Sequence, residues 1–299
     1  MKPKNPLSQV SDYDLRLLRL FKTVVECGSF SAAESVLGIT RSAVSLQMAD
    51  LEKRLGMRLC QRGRAGFALT DEGREVLRAS EVLLTAVENF RSEVNQINRQ
   101  LKGELNIGIV NNLVTLPYMR ITHALKKLRE QSDEVRINIS MSTPGEIERR
   151  LFDGRLHIGV IPLDLPLSGL EYNVLYTERS SLYCSHEHLF FGPAESLDVG
   201  QLKSVDAVAP SDRMNSDVVN LHQLLNCTAT ASDREGIAFM ILTGSYIGFL
   251  PDHYAANWVD KGQMKALLPQ QLFFESRLAT ATRKGQRTNL IVETLQRFL

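Results

Sequence analysis

Long apolar runs are missing from this sequence. No stretch approaches the run of about 18 apolar residues that a membrane span needs, and Met1 to Ser11 is polar and broken by proline, with no apolar core of the kind that directs export. Both absences predict a cytoplasmic protein with no membrane partner. Cysteine is scarce as well. Cys27, Cys60, Cys184 and Cys227 lie far apart and form no Cys-x-x-Cys pair, which suggests neither a zinc site nor a disulfide framework and reads as four reduced structural thiols, with a redox-sensing pair as the alternative. Enzyme signatures are lacking too: there is no Gly-x-Ser-x-Gly, no His-Glu-x-x-His and no phosphate loop ending in Gly-Lys-Ser/Thr. His186 and His188 make a His-x-His, but no acidic cluster at a ligand spacing accompanies them, so they read as loop residues rather than metal ligands. The expectation is a protein without catalysis, metal or cofactor.

Net charge is nearly absent, at +1, yet it is unevenly spread. Residues 1–70 hold 11 Lys and Arg against 6 Asp and Glu, whereas the remainder of the chain is slightly acidic. A basic head on a near-neutral body fits a polyanion partner. At 299 residues the chain also exceeds what one ordinary core serves.

What is present begins at Asp12. Leu15, Leu18, Phe21 and Val25 recur at helical spacing, and Gly28 stops the pattern. Ser29 and Ser31 are two candidate caps for a short helix through Ala32 to Leu37, and Gly38 breaks it. Thr40 caps a third helix that runs to Gly56. Two short helices joined by a glycine turn make a helix-turn-helix. Wound at 100° per residue, the third helix places Val44, Met48, Leu51 and Leu55 on one stripe and Ser42, Ser45, Leu46, Ala49 and Lys53 opposite. That second face is small and polar, which suits approach to base edges: the serine hydroxyls donate or accept, Leu46 meets a thymine methyl, and Arg41 reaches guanine or phosphate. An ordinary amphipathic helix with a solvent face accounts for the winding equally well. Residues 57–69 favour the DNA-reading face: Met57, Leu59, Phe67 and Leu69 alternate around a basic glycine turn containing Arg62 and Arg64, the pattern of a wing whose arginines enter a minor groove.

Ala32-Ala33, Leu37, Thr40, Ala43-Val44-Ser45, Gln47, Leu51-Glu52, Leu55-Gly56, Leu59, Arg62, Leu69-Thr70 and Gly73 together resemble the signature of LysR-type transcription regulators over residues 12–74. The resemblance implies that Arg41, Ser42, Ser45, Leu46 and Arg62 meet double-stranded DNA, and Thr40, Gln47, Lys53 and Arg64 complete the predicted surface. Three positions depart from the family: Ser42 stands where proline is common, Leu46 where arginine is, and Cys60 where phenylalanine is. The operator is therefore not predicted from those of relatives.

From Asp71, taken as the cap, Leu83, Val87, Phe90, Val94, Ile97 and Leu101 are spaced four, three, four, three and four. This heptad seam predicts a partner helix, and with the family resemblance it implies self-association as a dimer and a tetramer. After Gly103, LNIGIV, a helix over 116–129, VRINIS, a helix over 144–153 and HIGVI alternate as a parallel α/β unit does. A second unit comes after it, and FESRLATATRK leads back to a last helix near 289–298. This order resembles the LysR effector domain, similar in fold to periplasmic binding proteins. His157 stands where that family carries aspartate.

The predicted architecture is an N-terminal winged helix-turn-helix (1–70), a linking helix (71–103) and a C-terminal two-lobed α/β domain (104–299), its lobes formed by 104–163 with 265–299 and by 164–264. The predicted function is a DNA-binding transcription regulator modulated by a small-molecule effector held between the lobes, with RNA polymerase as a further partner. Strand-end loops nominate Asn111, Thr115, Ser142, Thr143 and Arg213 as effector contacts, and Arg213 favours an anionic effector; each is equally a plain cap or turn residue. The body alone also fits a solute-binding protein, and the head alone a DNA-binding regulator that has lost its ligand.

Overall fold

The structure, a computed structural model, describes residues 9–63, 66–97, 100–192, 197–285 and 289–299. The chain divides into two compact units, Met1–Arg91 and Ser92–Leu299.

In the first unit, helix α1 (Asp12–Cys27) begins at a capping box, in which the Ser11 hydroxyl accepts from the Asp14 amide and the Asp14 carboxylate accepts from the Ser11 amide. Helices α2 (Phe30–Leu37) and α3 (Arg41–Leu55) start at Ser29 and Thr40, whose hydroxyls cap their first turns. Ser29, not Ser31, is the cap of α2. All three helices end on a glycine with positive φ (Gly28, Gly38 and Gly56), a conformation that side chains with a Cβ resist. The buried stripe of α3 is the expected one, Val44, Met48, Leu51 and Leu55. On α1 it is rotated: Leu17, Leu20, Phe21 and Val24 point inward while Leu15 and Val25 sit half-buried at its margins, because α1 packs against two helices and so needs an arc wider than one row.

Strands β1 (Cys60–Gly63) and β2 (Gly66–Leu69) pair antiparallel as the wing. The first strand opens at Cys60 rather than Met57, since the Leu59 and Cys60 amides are held by the Glu52 carboxylate of α3, at 2.9 and 3.3 Å. Helix α4 (Asp71–Ile97) is capped by Thr70 and not by Asp71: the Thr70 hydroxyl accepts from the Gly73 amide at 2.9 Å. Gly73 is where the wing crosses the helix, and a Cβ there would lie 1.9 Å from the Leu59 carbonyl oxygen.

The division between units falls inside α4, not at either end of the expected 71–103 segment. Val76, Leu77 and Leu83 pack against the head core. Leu101, expected as the last residue of the seam, lies beyond the helix and packs on the core of the second unit, its carbonyl accepting from the Ser132 hydroxyl at 2.6 Å.

The second unit is built on one sheet in the order β4-β3-β5-β11-β6-β9-β7-β8, with β10 added beside β6. Its strands are β3 (Gly103–Ile109), β4 (Val135–Met141), β5 (Ile158–Pro162), β6 (Leu170–Ser185), β7 (Asp206–Pro210), β8 (Asn226–Ala231), β9 (Tyr246–Pro251), β10 (Met264–Ala266) and β11 (Phe273–Arg283). Strands β3, β4 and β5 run parallel, as do β7, β8 and β9. Helices α5 (Arg120–Gln131), α6 (Pro144–Phe152), α7 (Ser216–His222), α8 (Arg234–Leu242), α9 (Asp252–Val259) and α10 (Leu290–Gln296) complete it. Helix α5 starts later than position 116, because the chain first makes a short turn of helix at Leu113–Thr115 and then passes through Pro117. The elements α7, β8, α9 and β10 have no counterpart among the sequence-based expectations; each is short, at 7, 6, 8 and 3 residues.

The two long strands β6 and β11 pair antiparallel and connect two lobes. Leu170, Leu175, Tyr176, Leu278 and Ala281 join the core of lobe I; Leu182 and Cys184 join that of lobe II with Leu272, and Phe274 packs beside them. The lobes therefore change along β6 between positions 176 and 182, which gives residues 164–176 to lobe I rather than lobe II. Leu267 and Leu272 likewise belong to lobe II rather than lobe I. Where these strands pass from one core to the other they carry buried polar residues, Glu178, Ser180, Ser181 and Ser276, since neither apolar core covers that stretch. A β-bulge at Leu175 marks the same region, and the carbonyl it displaces accepts from Arg120 at 2.7 Å.

Candidate nucleic-acid interface and effector pocket

In the head, Arg41, Ser42, Leu46, Ala49 and Lys53 lie exposed along one side of α3, and Ser45 and Gln47 are half-buried. Leu46 is 73% exposed, an unusual state for leucine on a helix whose other leucines are buried, and one that a partner surface explains. Thr40 is exposed, but its hydroxyl accepts from the Ala43 amide at 3.3 Å, so its first task is capping. Arg62 lies on β1 opposite Phe67. Arg64 lies outside the described residues. The helix is held in place from behind: Arg54 donates from Nε to the buried Asp14 carboxylate at 2.6 Å. That bond, with the Ser11 hydroxyl, holds the Asp14 carboxyl well below the usual carboxylate range.

On α4, Phe90 is 67% exposed and Val94 39% exposed. Val87 is half-buried beside them, whereas Leu83 is shared with the head core. Ile97 is the last residue of the helix. Apolar side chains left open along one helix are what a second helix covers.

In the second unit, a cavity of ≈ 310 Å³ opens between the lobes at the carboxyl ends of the parallel strands. Asn111, Ser142, Thr143 and Arg213 line it. Thr143 precedes α6 without spending its hydroxyl on capping. Thr115 is not in the wall. Its hydroxyl lies 2.7 Å from His253 Nδ1, and His253 Nε2 donates to the Glu178 carboxylate at 3.1 Å. Arg234 pairs with the same carboxylate and also donates to the Asn111 carbonyl at 3.3 Å. Glu178 on the crossing strand is thus the centre of a buried polar network that ties lobe II, through Arg234 and His253, to the 111–115 loop of lobe I. Sequence reasoning missed Glu178, Arg234 and His253, because residues on β6, α8 and α9 are brought together only by the folding of both lobes. The one available signal was the polar run Thr177 to Ser181 between the Leu175-Tyr176 and Leu182-Tyr183 pairs.

Lobe II contributes an aromatic pair to the wall, Phe249 and Phe274, whose rings are tilted by 55° with centroids 5.4 Å apart. Its charged groups are mostly acidic: Asp164, Glu178, Asp212 and Asp233 against Arg213 and Arg234. Arg213, on which the expectation of an anionic effector rests, is an exposed residue of this wall, and its field also acts on Glu148.

His157 also finds its reason. Its Nδ1 accepts from the Asn106 amide at 3.0 Å, so the imidazole supplies an acceptor as an aspartate would, and burial holds its pKa below the ordinary value, favouring the neutral ring. His188 is buried, with Nδ1 accepting from the Phe190 amide at 3.1 Å, while His186 faces solvent. Among the described residues no group of three or more His, Cys, Asp or Glu side chains is placed to hold a metal, and no helix is long and apolar enough to cross a membrane.

Two family models match the chain: the bacterial regulatory helix-turn-helix protein, lysR family, over residues 15–74, and the LysR substrate binding domain over residues 98–299. The chain belongs to the LysR family. It is a LysR-type transcription regulator, with a helix-turn-helix DNA-binding domain followed by an effector-binding domain, and its relatives are regulators rather than solute-binding proteins or enzymes. It is 61% identical to the HTH-type transcriptional activator BauR of Pseudomonas aeruginosa, over the whole of this chain and 97% of that protein. It is 25% identical to the HTH-type transcriptional regulator CrgA of Neisseria meningitidis, over 85% of each chain. The fold of this LysR-type chain is also that of full-length CbnR solved with its target DNA, at a TM-score of 0.66 and 18% identity over 95% of this chain and 99% of that one.

Proposed function

We propose that this LysR-type regulator is a cytoplasmic transcriptional activator without catalytic activity, whose affinity for DNA or for RNA polymerase changes when a small effector enters the cavity between its lobes. The observation that carries the reading is the presence, in one chain, of a cavity at the carboxyl ends of two parallel strand sets and a helix that exposes Arg41, Ser42 and Leu46. The activator role is supported by the 61% identity to BauR.

At the DNA, Arg41, Ser42, Ser45 and Leu46 meet the major groove, with Gln47 and Lys53 flanking, and Arg62 and Arg64 of the wing meet the minor groove. Val87, Phe90 and Val94 of α4 pair with a second copy, which sets two reading helices on half-sites about one helical turn apart or a multiple of it. Residues 1–70, 71–103 and 104–299 serve as reader, linker and sensor, and dimers assemble further into tetramers. Genomic footprinting with the full chain, repeated with Arg62→Ala and Ser45→Ala, tests the reading. Discrete protected sites that both variants weaken are expected; binding unchanged in both variants removes the DNA assignment.

A further inference from the structure

Not every charge of the interlobe cavity has a partner among the described residues. Glu178 is met by Arg234 and His253. Asp233 caps α8, accepting from the Gly236 amide at 2.8 Å. Asp164 and Asp212 have no such partners: among the described residues neither forms an ion pair, Asp164 receives only a 3.3 Å bond from the Asn215 side chain, and Arg277 reaches it only through a longer-range field. Burial is the first cause that pushes both carboxyls above the ordinary aspartate value. Unmet carboxylates in a partly dry wall are costly unless something positive arrives.

A second, independent feature lies in the same wall. His222 is 7% exposed, on α7, with its ring against Phe249. Its Nδ1 lies 2.8 Å from the Val218 carbonyl, which only accepts, so the proton sits on Nδ1. Burial lowers the pKa of this histidine, which favours the neutral ring. Its Nε2 is then a bare acceptor, and it has no hydrogen-bond partner among the described residues. An orphaned buried acceptor calls for a donor.

We propose that the effector of this cavity carries a protonated amine, with the carboxylates of Asp164 and Asp212 facing the ammonium charge and His222 Nε2 accepting a hydrogen bond from the ligand. The inference rests on the cavity being the effector site, as proposed above. The ligand class is a short aliphatic ammonium compound. Chain length is limited by a volume of ≈ 310 Å³ and by the apolar faces of Phe249 and Phe274. A carboxylate at the other end of the same molecule is compatible with the Ser142 and Thr143 hydroxyls before α6, but the amine is the group the cavity requires.

The test uses the full chain and four probes of equal carbon number: butylamine, γ-aminobutyrate, butyrate and butanediol. Calorimetric titration is expected to show binding of the two amines and none of butyrate or butanediol. Asp164→Asn and Asp212→Asn, which keep shape and remove charge, are expected to weaken the amines by about tenfold each. His222→Phe is expected to weaken them too, with the thermal midpoint of each variant confirming a folded chain. Butyrate or butanediol binding as tightly as butylamine overturns the amine assignment while leaving the cavity as effector site. Absence of binding by both amines, or amine affinity unchanged in both Asn variants, also overturns it. Genomic footprinting of the unliganded chain is independent of all these outcomes, so a failed ligand class and a failed regulator reading are told apart.

Discussion

At Gly73 one hydrogen atom decides whether the wing and the linking helix can meet. A Cβ there would sit 1.9 Å from a backbone oxygen, which no side-chain rotation relieves. Gly73→Ala is expected to destabilise the head by about 3 kcal/mol, the upper range for overpacking, as read by urea unfolding. Asp14 illustrates a different dependence. Its folded pKa lies below its unfolded value, so its contribution is complete above the ordinary aspartate range and is lost as pH falls through the folded pKa. Asp14→Asn should therefore lower the unfolding midpoint at pH near 7, and the gap from the unsubstituted chain should narrow below about pH 4. An equal gap at both pH values contradicts the assignment. The pair Asp14 and Arg54 was invisible in the sequence, because 40 positions separate the partners; the capping box joins Ser11 and Asp14, only three positions apart, and so lies within reach of a local pattern.

Among the elements, α3 and α4 show how far periodicity reaches. The buried stripe of α3 follows from helical geometry alone, and its exposed face follows by subtraction. Arg41→Ala should reduce the salt dependence of DNA binding by about one unit of slope if the guanidinium meets a phosphate, as measured by anisotropy over a salt series. On α4 the helical period was legible from Leu83 to Val94, but its end was not: a four-residue step to Leu101 continues the pattern in sequence, yet Leu101 lies outside the helix. Leu101 is drawn into the core beside β3 instead. Phe90→Asp with Val94→Asp should yield monomers on sizing with the head still folded, since neither residue belongs to the head core. A persistent dimer places the contact elsewhere.

For the molecule as a whole, the Glu178 network joins the lobes where the sheet changes cores. Removing one member of a buried ion group leaves the others uncompensated, at a cost of about 3 kcal/mol. Glu178→Gln should carry that cost, and Glu178→Gln combined with Arg234→Met should be less damaging than the first change alone, as read in a double-mutant cycle of unfolding free energies. A chain saturated by its effector at a hundredfold excess over Kd should gain about 2.7 kcal/mol on the same assay. By itself the sequence determined the order of domains, the reading helix with its two faces, the wing and the alternation of strands and helices, because each rests on signals a few residues apart: caps, glycine stops and periods of two or 3.6. Only the tertiary structure decided which charges share a cavity and which are paired there. Glu178, Arg234, His253, Asp164, Asp212 and His222 come from six separate stretches, and the free energy of a buried charge depends on neighbours that the chain brings to it only when both lobes have formed.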